Sequence, residues 1–342
     1  MEKVYVGLDV GSTQCHVVAL NENQEVLADR QFQTGRGTLI EAIERLPGSV
    51  RVHLEASNLA GWVRQLLVGR GHDVVVSHPK SNAWIAKDPL KCDSVDARKL
   101  AELARMGRVH EVYYAEDAQR AEFKQLVQHY DDLTDEQSRL KVKIKSRLKA
   151  QGILARSLAV YGKVGRVKVL QQVPGGASRE ALRQLYGLMD AAVRQQQLAR
   201  KLLLKEARRY PEVERFQGVP GVGPISACRF SAYVQTPHRF ANKRKLWRYC
   251  RLAITDRSSD GKPLGRRRLD RNGNGRLKET SRTVFLAAVG KTRESNMFRR
   301  AYESARARGI DPTHARLTVQ RKILTVLWTL WKEGSRYQDD KG

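Results

Sequence analysis

The chain opens with three short runs that place apolar side chains at strand-like spacing: VYVGLDV (4–10), CHVVALN (15–21) and EVLADRQFQ (25–33). Short polar connections separate them, so the pattern predicts three strands, two of them joined as hairpins. GTLIEAIERL (37–46) shifts to a helical period, and VRVHLEA (50–56) returns to a largely buried strand. LAGWVRQLLVGRG (59–71) reads as a helix that stops at glycine, and DVVVSHP (73–79) as a fifth strand ending at Pro79. A helix over about 93–106 follows.

From Phe123 the period changes again. Phe123, Leu126, Tyr130, Leu133, Gln137, Leu140, Ile144 and Leu148 alternate spacings of three and four, the seam of a coiled coil. PGGAS (174–178) interrupts the chain, and Leu182, Leu185, Met189, Ala192, Ala199 and Leu203 begin a second seam. A long antiparallel helical hairpin fits both, serving packing or dimerisation. Beyond it, FQGVPGVGPISACRFSAYV (216–234) predicts helix, glycine turn and helix, a helix-hairpin-helix unit whose turn amides can bind phosphate.

Three antiparallel strands followed by helices alternating with strands is the element order of an RNase H-type α/β domain. The expected organisation is therefore an α/β domain over 1–115, a coiled-coil hairpin over 116–210, and a mainly α-helical region over 211–342.

Charge divides the chain in a similar way. Residues 1–115 hold 14 Lys and Arg against 14 Asp and Glu, while the other 227 residues carry 49 basic and 22 acidic side chains. The whole net charge of +27 therefore lies after the first domain. A neutral domain followed by a basic remainder points to a catalytic module joined to parts that bind a polyanion. No strongly amphipathic basic helix with an aromatic face is present, which favours nucleic acid over a membrane surface. The apolar run from Ile323 to Trp331 is too short to span a bilayer. Cys15, Cys92, Cys228 and Cys250 are scattered and the eight histidines lack ligand spacing, so zinc and a disulfide framework are not expected, and a reducing cytosol is.

The basic residues concentrate in RFANKRKLWRYCR (239–251) and RSSDGKPLGRRRLDRNGNGRLK (257–278). The second stretch has eight Lys or Arg, two acids and several glycines that permit close backbone approach. Lys243, Arg244, Lys245, Arg257, Lys262, Arg266, Arg267, Arg268, Arg271, Arg276 and Lys278 are the candidate nucleic-acid contacts.

Against this basic background, KCDSVDARK (91–99) sets Asp93 and Asp96 three residues apart. One reading makes Asp93 a helix N-cap with Asp96 at the third helical position. The other puts both carboxylates on one helix face as half of a metal site. Asp9 in the first strand and Glu55 near the end of the fourth occupy places from which, in an RNase H-type sheet, carboxylates converge. Four such groups repel unless divalent cations neutralise them, and all-oxygen ligands select magnesium or manganese. Two such ions suit phosphodiester chemistry.

These stretches carry a resemblance. GLDVGSTQCHVVALN, HLEASN, KCDSVDARKLAEL, VPGVGPISA and SSDGKPLGRRRLDRNGNGRLK are similar, in order and along nearly the whole chain, to the one-ten family of insertion-sequence transposases. Its relatives include Piv-type DNA invertases and bridge-RNA-guided recombinases. The resemblance implies a RuvC-like DEDD domain, a coiled coil and a C-terminal transposase domain with a nucleophilic serine. By motif the DEDD set is Asp9, Glu55, Asp93 and Asp96, and the serine is Ser259 in SSDG. Asp260 stands where the family usually has glycine, and Ser258 is the neighbouring alternative. The implied partners are donor and target duplex DNA, a structured guide RNA and further copies of the chain, as a dimer or tetramer, in a bacterial cytosol or nucleoid. A RuvC-type junction nuclease using water would explain the carboxylates but leave SSDG idle. An actin-like ATPase or sugar kinase, suggested by GLDVGST, lacks its other phosphate and adenosine motifs.

Overall fold

The computed structural model describes residues 3–79, 93–115, 117–155, 157–255, 258–259, 262–263, 268–291 and 295–339, with the backbone course only at 258, 259, 262, 263 and 291. The described residues form two compact units, Met1–Glu116 and Asp117–Gly342.

In the first unit, β1 (Lys3–Val10), β2 (Gln14–Leu20), β3 (Val26–Gln33), β4 (Ser49–Glu55) and β5 (Asp73–Ser77) make one mixed sheet in the order β3-β2-β1-β4-β5. The first three strands pair antiparallel, as hairpins with short connections must, and β4 and β5 add in parallel through helical crossovers. Alternation sends Val4, Val6 and Leu8 of β1, Val17 and Ala19 of β2, and Val52 and Leu54 of β4 to one face. There they pack with Leu39 and Ile43 of α1 (Arg36–Glu44) and Val63 and Leu67 of α2 (Ala60–Val68).

The opposite face receives α3 (Asp93–Arg105), whose Ala97 and Ala101 pack on Val18 and Leu20. Gly7 makes this approach possible. A Cβ there would lie 1.8 Å from the Ala97 carbonyl oxygen and 2.5 Å from the Ala101 nitrogen, so helix backbone occupies the space a side chain would need. Gly7→Ala is therefore expected to destabilise the first unit by about 3 kcal/mol or more, because both neighbours are backbone and cannot rotate away. Denaturant unfolding of the full chain checks this; a loss near zero would mean that α3 shifts at no cost.

The second unit is mainly helical. Helices α4 (Ala118–Ala150) and α6 (Ala177–Ala207) run antiparallel: Phe123 lies 4.3 Å from Tyr210 just after α6, Gln196 reaches Thr134 at 3.0 Å, and Leu148 packs in one cluster with Leu182. The intervening α5 (Lys163–Gln172) covers their far end. From Gln137 onward the buried positions of α4 are those of the predicted seam. Before it Phe123 is buried as predicted, but Val127 and Asp131 are then buried in place of Leu126 and Tyr130, which are only partly so. The physical reason is a second packing partner. Here α4 lies against the C-terminal helices as well as α6, which rotates the buried stripe onto residues that a two-helix seam leaves outside.

Those helices are α7 (Pro211–Gln217), α8 (Pro224–Val234), α9 (Lys243–Tyr249), α10 (Gly275–Phe285), α11 (Met297–Ala307) and α12 (Pro312–Glu333). They share one core with the base of the hairpin, from Phe123 and Leu203 to Phe230, Phe298 and Leu327. Asp131, 1% exposed, is held by Arg229 at 2.6 Å and accepts the Tyr233 hydroxyl at 2.8 Å. A carboxylate buried this deeply is tolerable only with such partners. Between α7 and α8 the chain turns at 218–223, and the backbone at Gly221 comes up against Val284 and Ala288.

Candidate active site

Asp9 and Glu55 end up side by side through strand register. Leu8 pairs with Leu54 in the parallel β1–β4 ladder, so the next residue on each strand lies level with the other and points to the α3 face. The close approach at Gly7 brings the first turn of α3 over that edge, carrying Asp93 and Asp96. The consequence is electrostatic. The Asp9 carboxyl is pushed above its ordinary value, first by burial and then by the negative charges of Asp93, Asp96 and Glu55, with the Val10 backbone N–H opposing weakly. Asp96 Oδ1 is buried and has no hydrogen-bond partner.

An acid crowded by three others and a buried, unpartnered carboxylate oxygen fit a hard divalent cation, since an ion would relieve both. Among the described residues, no group of three or more His, Cys, Asp or Glu side chains is already gathered at coordinating geometry. The four carboxylates are thus neighbours in charge, and the residues suited to an ion are Asp9, Glu55, Asp93 and Asp96.

Sequence reasoning missed the groups that hold this edge together. His53 lies one strand position from Leu54, on the α3 face, fully buried. Its Nδ1–H donates to the Leu100 carbonyl of α3 at 2.8 Å, and Nε2 meets the Ser77 hydroxyl of β5 at 2.8 Å. Burial pushes its pKa below the ordinary value, which keeps the ring neutral and suited to both roles. On the other side, His16, opposite Asp9 in the β1–β2 ladder, contacts Asp29 of β3 at 2.5 Å. Ser94 donates to the same Asp29 carboxylate at 3.3 Å, tying the first turn of α3 to the sheet. The signal was present in the strand alternation: Asp9, His16, Asp29, His53 and Glu55 all fall on the face opposite the main core.

In the second unit, β7 (Ser258–Ser259) pairs antiparallel with β8 (Lys262–Pro263), placing Ser259 opposite Lys262 along the backbone. The side chains of Ser258, Ser259 and Lys262, and all of Arg257, Arg266 and Arg267, lie outside the described residues. Lys243, Arg244 and Lys245 are exposed on the first turn of α9, which Asn242 caps. Arg271 is exposed, as is Arg268 in β9 (Arg268–Leu269), which pairs with β6 (Ile254–Thr255). Lys278 is half-buried on α10. Arg276 is taken up within the fold, paired with Asp135, with Glu279 at 3.2 Å and with Asp131 at 3.7 Å. No described helix is long and apolar enough to cross a membrane.

Comparison with known proteins agrees with this arrangement. A family model described as transposase, of the IS110 DEDD type, matches residues 6–151 and so spans all four carboxylates. A second, described as the IS116/IS110/IS902 transposase family, matches residues 213–303, which include the serine hairpin and the basic stretch. An insertion element IS110 protein of 43.6 kDa from Streptomyces coelicolor is 26% identical, covering 98% of this chain and 95% of that protein. Two models of one family, met in order along one chain whose first unit groups the acids and whose second bears the base-rich loops, make this protein a member of the IS110 family of transposases.

Proposed function

We propose that this transposase cuts and rejoins DNA with two cooperating parts: a DEDD metal centre in an RNase H-like, RuvC-like first domain, and a nucleophilic Ser259 in the C-terminal region. The observation that carries the reading is the convergence of Glu55, Asp93 and Asp96 on a half-buried Asp9, with one Asp96 oxygen left unpartnered. Such a cluster is costly to a bare fold and useful to a site that holds Mg²⁺ or Mn²⁺. When bound, a pair of such ions supplies Lewis-acid stabilisation to the phosphoryl oxygens and lowers the pKa of an attacking hydroxyl. Asp9 and Glu55 hold the sheet side of that site, and Asp93 and Asp96 the helix side.

The Ser259 hydroxyl attacks a DNA phosphodiester, forming a bond to phosphorus as the strand breaks. The serine–DNA linkage conserves the bond energy until strand exchange, so no nucleotide triphosphate is consumed. The sequence SSDGK combines small residues and glycine, which suit close backbone approach to phosphate, with Lys262 and the 266–268 arginines, whose charge suits it. The helical hairpin acts as a coiled coil between protomers, and the turn between α7 and α8 as a helix-hairpin-helix.

Phosphate contacts give affinity without sequence information. A chain this basic gains target choice by holding a structured bridge RNA that pairs with donor and target duplexes. The decisive experiment mixes the purified protein, Mg²⁺ and two duplexes, with the co-purifying RNA either intact or digested. Recombinant junctions are expected only with intact RNA. Undiminished, sequence-specific recombination after digestion would remove the guide and assign recognition to the protein.

A further inference from the structure

An open concavity of about 460 Å³ lies in the second unit, where the end of α9 meets the loop after β9. Its lining includes Arg239, Phe240, Lys245, Arg248, Tyr249 and Gly273. The floor is aromatic. Phe240 and Tyr249 have ring centroids 5.4 Å apart, and the Arg239 guanidinium stacks 4.2 Å from the Tyr249 centroid. The Tyr249 hydroxyl donates to the Tyr233 carbonyl at 3.1 Å, which anchors the far end of the ring.

The opposite wall is held just as firmly. Gly273, with φ of +109°, passes so near Tyr249 that an added Cβ would sit 2.4 Å from its carbonyl oxygen. Asp270 is buried, accepts the Asn272 backbone N–H at 2.8 Å and pairs with Arg248 at 3.1 Å. That acid is thereby partnered, and Lys245 stands exposed at the rim. Lys124 of α4 is pushed below its ordinary pKa by burial and by neighbouring Arg239, so positive charge is crowded beside the floor. A preformed aromatic floor with cations at its edge matches the two chemical halves of a nucleotide.

We propose that this concavity takes one unstacked nucleotide of a nucleic-acid strand, its base against the Arg239–Tyr249 stack and its phosphate toward Lys245. The proposal rests on reading the second unit as the nucleic-acid-binding part. A base inside a duplex keeps its faces covered by its neighbours, so the site selects single-stranded or extruded nucleotides.

Fluorescence anisotropy with the full chain tests it, using end-labelled single-stranded DNA, the same sequence as RNA, and the duplex. Tyr249→Leu is expected to weaken single-strand binding about tenfold while duplex affinity stays within about twofold, the size of one lost base–aromatic stack. Tyr249→Phe keeps the ring and is expected to retain wild-type binding. Lys245→Ala is expected to lower the salt slope on single strands by about one phosphate equivalent, and as an exposed substitution it keeps the test open if Tyr249→Leu fails to fold. A larger loss on DNA or on RNA identifies the strand received. Unchanged single-strand affinity in Tyr249→Leu, or an unchanged slope in Lys245→Ala, would overturn the site alone. A wild-type chain that binds neither strand nor duplex would overturn the reading of the second unit along with it.

Discussion

Asp93→Ala and Asp9→Ala are expected to abolish strand cleavage while leaving nucleic-acid binding nearly intact. Removing one ligand from a two-ion site forfeits several kcal/mol of transition-state stabilisation, and about 4 kcal/mol already corresponds to a thousandfold loss in rate. Binding survives because the first 115 residues are electrically neutral and the entire +27 lies elsewhere. Denaturing gels measure cleavage, and mobility shifts on the same samples measure binding. Full cleavage by either variant, or by the wild type in excess EDTA, would exclude the metal reading.

A thermodynamic arm separates a metal site from an incidental cluster of acids. The folded Asp9 carboxyl lies above its ordinary 3.8, raised by burial and then by its three acidic neighbours. A group whose pKa is raised on folding contributes stability that is complete below its unfolded pKa and is lost as pH rises through the folded value. Without metal, the advantage of Asp9→Asn over the wild type should therefore be absent in acid and grow as pH climbs above 3.8. Added Mg²⁺ or Mn²⁺ at neutral pH should raise the melting temperature of the wild type and not of Asp9→Asn. An equal metal response in both would mean that the ion binds elsewhere.

The second large effect concerns Ser259. If serine is the nucleophile, cleavage leaves protein covalently attached to a DNA end, and Ser259→Ala removes both the adduct and recombination. If water attacks, as in a junction nuclease, the alanine variant still cuts and no adduct forms. Ser258→Ala is the internal control, since the two serines adjoin in one short strand. Migration of end-labelled DNA in denaturing gels, before and after proteolysis, reads the outcome directly. An adduct that persists in the double variant would take serine out of the reaction.

Local sequence determined a great deal of this protein. A period of two along 4–10, 15–21 and 50–56 is enough to define strands and their buried face, because successive side chains on a strand point to opposite faces of the sheet. The types and places of Asp9, Glu55, Asp93 and Asp96 were equally plain, since they fall at two strand ends and a helix start, places from which carboxylates can converge in such a sheet. Only the tertiary structure brought them into one another's field, through a strand register and the backbone contact at Gly7. The same holds for the buried supports. Nothing near His53 announces Leu100, 47 residues away, and nothing near Asp131 announces Arg229 or Tyr233, roughly 100 residues on. Periodicity reports which face of an element is covered; it carries no information about what covers it. That is why the seam of α4 was legible from Gln137 onward, where its hairpin partner and the α5 segment between them cover the predicted face, and changed at Val127 and Asp131, where distant helices pack against it as well.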